Sequence, residues 1–440
     1  MRAGFYETEV TPPLGSGIPG YFAPRWANGV KQKLYAKAAV LDNGENKVAF
    51  LIIDVLDIPF GLPEIVRDRV SKETGIDKNS ILIAATHSHT GLPVRCDEFA
   101  DSDTVKDKKI IEHVSLLAAD SIIMANKKLT PCKISFSMGV AEGVSFIRQY
   151  NLKDGTIRTN PFYCQKEVVS HIGEPDTEFP VFFVTDEEGA PMGAITSFAL
   201  HHDTVGGEEY SSDYSGLVAK HLKRTYGEDF VTVFYAGFCG DINHLDFCNT
   251  DDDLKTSEIA EVLAREFIVA ADNSEPICDD TLICKMDTVK VEKRKIDKDF
   301  IDSCKYLLDN PPCPGPISIE EPYSDRLKYG AARTVLEWYD IDKRTHFDVP
   351  VQVIKLGECM IYALVGEEFS CFAHKIRAAS PTEKNLCVSM AHSDEFRCYI
   401  PKADLFSPLV YESVIYSAVM EEKAGDIMSD KAIEMAKEIY

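Results

Sequence analysis

The sequence lacks the features that would place it in a special class of protein. Its 440 residues contain no apolar run long enough to cross a membrane as a helix. No charged and then apolar leader precedes the first structured-looking segment, so we expect no signal peptide. Internal repeats of about 20–50 residues and low-complexity runs are missing as well. These absences favour a globular protein over a repeat array or a membrane protein.

Paired cysteines are missing too. The thirteen cysteines are scattered from Cys96 to Cys398, and none belongs to a Cys-x-x-Cys pair. An odd, dispersed set is typical neither of a disulfide framework nor of a zinc ribbon. We therefore expect a cytoplasmic protein whose thiols are mostly buried as small apolar side chains. Cys239 is the one candidate for a reactive thiol, which would require a neighbouring base.

Positive charge is scarce. The chain has 47 Lys and Arg against 71 Asp and Glu, which gives a formal net charge of -24. Nucleic acid and anionic membrane surfaces would repel such a chain, so neither is expected as its main partner. No basic stripe offsets the excess, and no amphipathic segment offers a membrane anchor. We expect a small-molecule substrate, and the sequence leaves open whether the chain forms a homo-oligomer.

The remaining composition, with 45% hydrophobic and 27% charged residues, is that of an ordinary globular protein. Residues 34–41 and 47–55 predict two strands joined by a tight Asn-Gly turn. Helical apolar spacing at 62–74 and 104–128 flanks a short apolar strand at 81–85. This alternation predicts an α/β fold with mixed sheets packed with helices.

His87 and His89 follow the apolar strand at 81–85. In an extended segment, side chains at i and i+2 point the same way, so the two histidines can converge on one ion or substrate. Imidazole suits zinc and its neighbours, and ligands gather at the carboxyl ends of strands in open α/β sheets. The motif is short, and a pair of polar loop histidines without a ligand would give the same pattern.

Three further apolar strands end in polar residues of the same kind, in segments 194–203, 231–244 and 360–367. A His/His/carboxylate set is what catalytic zinc uses while keeping a position open for water. The four strand ends supply His87, His201, Asp241, Asn243, His244 and Glu367.

Several blocks of the sequence, in one order, resemble the neutral/alkaline non-lysosomal ceramidases and their bacterial relatives. The blocks are Glu9-Val-Thr-Pro-Pro13 with Gly20-Tyr21, Ala85-Thr-His-Ser-His-Thr-Gly91, Arg148 with Lys153-Asp-Gly155 and Thr159-Asn-Pro161, Phe198-Ala-Leu-His201, Val365-Gly-Glu367, and Tyr399 with Tyr411-Glu412. The resemblance covers most of the chain. It implies one ceramidase-like metallohydrolase domain over residues 1–440, without the C-terminal immunoglobulin-like domain of the secreted enzymes.

The resemblance also implies roles for individual residues. The family's zinc ligands fall on His87, His201, Glu367 and Tyr399. His89 would line the site beside the metal as a proton-transfer group. Arg148 and Tyr411 match the family's active-site arginine and second tyrosine, which would stabilise a carbonyl oxygen or an oxyanion.

One departure concerns the catalytic serine. Where ceramidases carry Gly-Asp-Val-Ser-Pro-Asn, this chain has Gly240-Asp-Ile-Asn-His-Leu245, so Asn243 stands at the serine position. An amide cannot act as a hydroxyl nucleophile, so a serine-dependent mechanism does not carry over. Asn243 could donate to an oxyanion or orient a substrate. His244 could supply acid–base capacity or be satisfied by its own loop.

Residues 287–347 are charged, with helical spacing at 297–308 and 319–340 on either side of a proline cluster. We interpret this stretch as a helical insertion that either covers the site or braces the structure.

The predicted function is zinc-dependent hydrolysis of an amide or related carbonyl bond in a small polar molecule, with metal-bound water as nucleophile. One alternative is a ceramidase or N-acyl-lipid amidase that uses water in place of serine. The other is a non-catalytic, metal-containing protein that binds a small molecule. A long apolar tunnel beside the metal would favour the lipid enzyme, and a short polar pocket would favour the small substrate.

Overall fold

The computed structural model describes residues 1–21, 25–94, 104–162, 165–249, 254–313, 324–392 and 395–440. The strands are β1 (Arg2–Glu9), β2 (Gly29–Val30), β3 (Tyr35–Asp42), β4 (Lys47–Ile53), β5 (Ile81–Ala85), β6 (Thr130–Val140), β7 (Phe146–Ile147), β8 (Gln149–Leu152), β9 (Ile157–Thr159), β10 (Val168–His171), β11 (Glu178–Asp186), β12 (Pro191–Phe198), β13 (Glu209–Tyr210), β14 (Val231–Ala236), β15 (Ile242–Asn243), β16 (Glu275–Pro276), β17 (Leu282–Glu292), β18 (His346–Leu356), β19 (Cys359–Ala363), β20 (Glu367–Glu368), β21 (Asn385–Val388) and β22 (Tyr399–Ile400). The helices are α1 (Leu62–Thr74), α2 (Thr104–Lys127), α3 (Asp213–Tyr226), α4 (Thr256–Asp272), α5 (Lys298–Asp309), α6 (Asp325–Leu336), α7 (Ser370–Ala379) and α8 (Ala424–Ile439). None of these helices, as far as they are described, combines the length and apolarity needed to cross a membrane.

Among the described residues, nine strands form one large mixed sheet. Their order is β14-β12-β11-β6-β1-β3-β4-β5, with β16 paired to β6. Strands β3 and β4 form the predicted antiparallel hairpin, with Asp42 opposite Lys47. Strands β4 and β5 are parallel, as are β12 and β14, because helical connections separate the members of each pair.

The central strands are apolar along their whole length because both faces of the sheet are covered. In β3, Ala38 and Val40 face helices α1 to α4, whereas Ala39 and Leu41 face the opposite side. Strand β4 alternates in the same way. Each central strand therefore contributes to two cores at once.

A second sheet, in the order β17-β18-β19-β21, covers the opposite face of the large sheet. Helices α7 and α8 pack on its outer surface, where Phe372 and Met428 join a core with Val351 and Tyr362. The layers therefore run helices, sheet, sheet, helices. This confirms the predicted α/β fold of mixed sheets packed with helices.

The helical insertion predicted at 287–347 is helical only in part. Residues 287–292 belong to β17, which pairs with β18 so that Glu292 lies opposite His346. Periodicity missed this strand because it lies at a sheet edge and leaves most of its charged side chains exposed. The helices run from α5 through α6 to a π turn at Glu337–Ile341. Helix α6 begins at Asp325, where the Ser324 side chain caps its N-terminus. The predicted start of this helix at residue 319 lies among residues 314–323, outside the described part.

Candidate metal and active site

The four residues predicted as metal ligands meet at the junction of the two sheets. His87 follows β5 and His201 follows β12, both in the large sheet. Glu367 follows β19 of the second sheet and pairs with Tyr399, because β20 and β22 run parallel in register. All four side chains are buried, although three are polar or charged. Burial of such groups requires mutual compensation.

Three of these side chains direct acceptor atoms at one another. His87 Nε2 lies 3.2 Å from His201 Nε2 and 3.2 Å from Glu367 Oε2, and His201 Nε2 lies 3.4 Å from the same oxygen. Each imidazole donates through Nδ1 to a backbone carbonyl, His87 to Leu56 at 2.8 Å and His201 to Cys239 at 3.1 Å. In the neutral form, each Nε2 therefore carries a lone pair.

Three acceptors this close repel one another unless a cation lies among them. Nitrogen and oxygen ligands at about 2.0–2.2 Å from a tetrahedral zinc ion are roughly 3.3 Å apart, which matches the observed spacing. Without a metal, a proton must take that place. Burial lowers the pKa of His87, but the Glu367 carboxylate outweighs burial and raises this pKa to about 9. The donor set, and the carbonyls that orient both histidines, fit zinc.

His87 reaches the cluster through a backbone turn. Strand β5 ends at Ala85, and the φ of His87 is 69°, in the left-handed region. His87 and His89 converge as predicted, with ring centres 5.1 Å apart, but the convergence does not come from strand alternation, because His87 is not extended. A left-handed non-glycine residue costs about 1–3 kcal/mol, so the surrounding contacts must hold it. The His87 N–H donates to the Val55 carbonyl at 2.9 Å.

His89 is the third histidine of the cluster. The ligating nitrogens of His87, His89 and His201 lie within 4.8 Å of one another. His89 Nδ1 contacts the Gly20 carbonyl at 3.1 Å, and its Nε2 is buried without a hydrogen-bond partner in the described part of the chain. Burial and the nearby His87 hold the pKa of His89 well below its usual value. His89 thus presents a neutral acceptor beside the other two histidines.

Four residues outside the predicted site surround and hold His89. Asp203 Oδ1 lies 3.8 Å from His89 Nδ1 and accepts a hydrogen bond from the Tyr21 hydroxyl at 2.7 Å. Arg25 donates to the His89 carbonyl at 2.6 Å and lies 3.9 Å from the centre of the Tyr21 ring. Gly20 has a φ of 103°, and a Cβ there would lie 2.8 Å from His89 Nδ1. The Gly20-Tyr21 block was the only signal for this group in the sequence.

Arg148 is buried beside the cluster. Its Nε lies 2.5 Å from Glu412 Oε1, and its Nη2 donates to the Gly240 carbonyl at 2.8 Å. The guanidinium lies 5.1 Å from the centre of the Tyr399 ring, and the Tyr399 side chain hydrogen-bonds with both Arg148 and Glu367. These contacts fix the guanidinium next to the proposed metal ligands.

Tyr411 approaches the same group from the following loop. Its ring centre lies 5.7 Å from that of Tyr399. Its N–H donates to Thr159 Oγ1 at 3.1 Å, and that hydroxyl donates to Glu412 at 2.6 Å. Burial raises the pKa of Tyr411, so its hydroxyl stays protonated at neutral pH and can donate a hydrogen bond.

Asn243 lies in β15 with its amide already engaged. Nδ2 donates to Asn160 Oδ1 at 2.7 Å, and Oδ1 accepts from the Leu245 N–H at 2.9 Å. One amide hydrogen remains for another acceptor. Burial raises the pKa of Asp203, and the half-buried His244 acts in the opposite direction. The structure thus places His244 near Asp203, which is itself part of the group that holds His89.

Cys239 contributes its backbone to the site, not its thiol. Its carbonyl orients His201. Burial and the charge of Glu367 hold the pKa of the Cys239 thiol well above its usual value. A protonated buried thiol is a poor nucleophile, so the structure does not support Cys239 as a reactive residue.

A cleft of about 570 Å³ connects His87, His89, Glu367, Tyr399 and Tyr411 with the helical insertion. Helix α6 and the π turn supply Arg333, Glu337 and Trp338, so the insertion forms one wall of the cleft. Helices α5 and α6 also pack against Val414 and Tyr416, in the loop that follows Tyr411. The other lining residues include Tyr21, Leu56, Asp57, His87, His89, Glu367, Arg397, Tyr399, Tyr411 and Ser417.

The layered sheets and the buried His/His/Glu/Tyr group define an α/β protein with a candidate metal centre at its strand ends. The fold is that of the neutral ceramidases. The neutral ceramidase from Pseudomonas aeruginosa superposes with a TM-score of 0.73 at 16% sequence identity, over 99% of this chain and 74% of that chain. A ceramidase complexed with C2 gives 0.71 at 15% identity, with the same coverage. No protein-family model matches the chain, and no curated protein matches it significantly in sequence.

Proposed function

We propose that this protein is a zinc-dependent hydrolase that cleaves an amide or related carbonyl bond in a small polar substrate. The observation that carries the proposal is the group of three acceptor atoms 3.2–3.4 Å apart, buried at one end of a cleft. The ceramidase-like fold supports an amide hydrolase, because the solved neighbours are ceramidases.

His87, His201, Glu367 and Tyr399 would hold the metal. A zinc ion bound there would supply a Lewis acid that polarises a carbonyl and acidifies water. Arg148 would bind the carbonyl oxygen and stabilise the charge that develops on it, since Glu412 and Gly240 already fix its guanidinium.

Proton transfer would fall to His89. Its Nε2 has no hydrogen-bond partner in the described residues, and its side chain lines the cleft. It would accept a proton from an attacking water and return it to the leaving nitrogen. The Tyr411 hydroxyl, held protonated by burial, would donate a second hydrogen bond to the carbonyl oxygen. The remaining amide hydrogen of Asn243 would orient the substrate.

The cleft favours a small polar substrate over a long acyl chain. Its volume lies within the usual range of about 300–1,000 Å³ for small-molecule sites. Besides the proposed metal ligands, four charged side chains line it, namely Asp57, Arg333, Glu337 and Arg397. Charged groups that face an acyl chain would lose hydration without compensation.

Two observations support other functions. The fold neighbours are ceramidases, which keeps an N-acyl-lipid amidase as the second candidate. The engaged amide of Asn243, at the position of the ceramidase serine, favours a metal-containing binding protein without catalysis.

Elemental analysis of the purified protein, followed by a turnover screen, tests the proposal. We expect His87→Ala/His201→Ala to lose one zinc per chain relative to the wild type. The control His113→Ala removes an exposed histidine of α2 and should lose none. A wild type that neither contains nor takes up zinc would overturn the mechanism.

The screen compares short N-acylated polar amides and esters with ceramide. Hydrolysis of short polar substrates supports the proposal, and hydrolysis of ceramide alone favours the lipid enzyme. Zinc at the cleft without turnover of any substrate favours the binding protein.

A further inference from the structure

A second group of metal-binding side chains lies outside the residues that line the cleft. His171 ends β10, and Asp246 and Cys248 lie in the loop after β15. Their ligand atoms are all within 4.8 Å of one another. We propose that His171, Asp246 and Cys248 form a second metal site that binds zinc or a similar divalent transition metal. This proposal does not depend on the function proposed for the cleft.

The orientation of His171 carries the proposal. Its Nδ1 lies 2.8 Å from the Ile147 carbonyl, which can only accept, so Nδ1 is the protonated nitrogen. In the neutral ring, Nε2 then directs a lone pair at Asp246 Oδ1, 3.1 Å away. Two acceptors face each other, as in the cleft, and either a proton or a metal ion must lie between them. The separation is close to the roughly 3.3 Å between nitrogen and oxygen ligands of tetrahedral zinc.

The surroundings hold the imidazole in this orientation. The Phe146 ring stacks on it at 6.2 Å with an interplanar angle of 15°, and the Tyr150 ring centre lies 4.7 Å away. A carbonyl partner on the non-ligating nitrogen is the usual arrangement around metal-bound histidines. The Asp246 carboxylate is fixed as well, since Oδ1 accepts from the Cys248 N–H at 2.8 Å. Two ligands are therefore preoriented.

Cys248 supplies the third ligand. Its side chain is exposed, so it can rotate until the sulfur comes within bonding distance of an ion held by His171 and Asp246. On binding, the thiol proton passes to solvent and the thiolate coordinates. A sulfur, nitrogen and oxygen set favours zinc or cobalt over magnesium or calcium. The bound ion would tie the loop after β15 to β10.

A nucleophilic Cys-His-Asp relay does not fit the same residues. In such a relay the acid binds one ring nitrogen of the histidine, and the thiol binds the other. Here the Ile147 carbonyl takes Nδ1, and the carboxylate lies on the Nε2 side, where the thiol would also have to bind. Ligand atoms that converge on one point are typical of a metal site.

Titration of the full-length, chelator-treated protein with cobalt(II) under a non-thiol reductant tests the proposal. A thiolate bound to cobalt absorbs in the near-ultraviolet, and the ligands proposed for the cleft include no cysteine. We expect this band in the wild type and in His87→Ala/His201→Ala. Cys248→Ser should abolish it, and His171→Ala should weaken cobalt binding more than about tenfold. Cys278→Ser, which removes another exposed thiol, should leave the band unchanged.

Circular dichroism establishes that each variant is folded. The proposal is overturned if the folded wild type gives no band, which would leave a His171–Asp246 ion pair only, or if the band survives in Cys248→Ser. The band reports only a thiolate bound to cobalt, and the cleft has no cysteine ligand. Absence of the band would therefore not contradict the function proposed for the cleft. Failure of the cleft to bind zinc would likewise leave the band in place.

Discussion

Glu367 and Glu368 are consecutive buried carboxylates that face in opposite directions. Side chains alternate along a strand, so Glu367 points at His87 and His201 while Glu368 points away from them. Glu367→Gln removes the charged ligand, and we expect zinc affinity to fall at least about tenfold. Glu368→Gln, the matched control, should retain the affinity. Titration against a competing chelator measures both, and equal losses would show that Glu367 is not a ligand.

The buried ion pair of Arg148 and Glu412 is expected to contribute to the stability of the fold. Both side chains are buried, so Glu412→Gln removes the carboxylate that is paired with a buried guanidinium. We expect the free energy of unfolding in urea to fall by about 3 kcal/mol. Glu178 also pairs with an arginine, but it is 40% exposed, and the buried Asp176 pairs with the same arginine. Glu178→Gln should therefore cost less than about 1 kcal/mol, and equal costs would contradict the prediction.

The sequence predicted some of these residues for a physical reason and others only by resemblance. His87, His201 and Glu367 follow apolar strands, and strand ends meet at one edge of a sheet. Arg148 lies between the short strands β7 and β8, and Tyr399 lies in the two-residue strand β22. Segments this short have no usable periodicity, so only the family blocks indicated these two residues. Residues such as Tyr21, Asp57 and Asp203 act through contacts that depend on tertiary folding, which a single sequence does not encode locally.

At the scale of elements, the contact between α7 and α8 depends on one glycine. A Cβ on Gly425 would lie 2.1 Å from Phe372 Cζ and 2.3 Å from Cε2. Alanine gains at most about 1 kcal/mol of helix propensity, whereas overpacking costs about 1–3 kcal/mol. We therefore expect Gly425→Ala to destabilise the protein by about 1–2 kcal/mol, measured by urea unfolding.

Repeating Gly425→Ala in a Phe372→Leu background tests whether the clash with the Phe372 ring causes this loss. If the clash with the ring is responsible, Gly425→Ala should become neutral or stabilising in that background, which is a double-mutant cycle between two contacting residues. The same loss in both backgrounds would place the cause elsewhere.

The ends of a strand could be predicted where both faces of the strand are buried. Strands β3, β4 and β5 read as apolar runs because cores cover both faces, and their predicted ends agree with the structure to within about two residues. Strand β17 was missed because much of it is partly exposed and charged. The turn at His87 also escaped prediction, since a positive φ at a histidine is imposed by its neighbours and not by its own preference.

At the scale of the whole molecule, the candidate metal site joins the two sheets. His87 and His201 follow strands of the large sheet, while Glu367 and Tyr399 follow the second. Zinc that binds only the folded state adds about 2.7 kcal/mol of stability at one hundred times its Kd. We expect zinc to raise the urea midpoint of the chelator-treated wild type, and to raise it less in His87→Ala/His201→Ala. Equal increases would place the stabilising metal outside the cleft.

The excess of negative charge should make the thermal stability of the protein depend on salt concentration. The formal charge of -24 opposes the compact state, whereas the exposed ion pairs favour it by about 0–1 kcal/mol each. Salt screens both the repulsion among the excess negative charges and the attraction within the ion pairs. Whether added salt raises or lowers Tm therefore shows which of the two is larger. Because the charge is so unbalanced, we expect Tm at pH 7.5, measured with a chelator present, to rise by a few degrees as sodium chloride increases from about 10 to about 300 mM. Near the isoelectric point of about 4.9, the self-repulsion disappears and the rise should vanish. A fall in Tm at pH 7.5 would mean that local ion pairs outweigh the net charge.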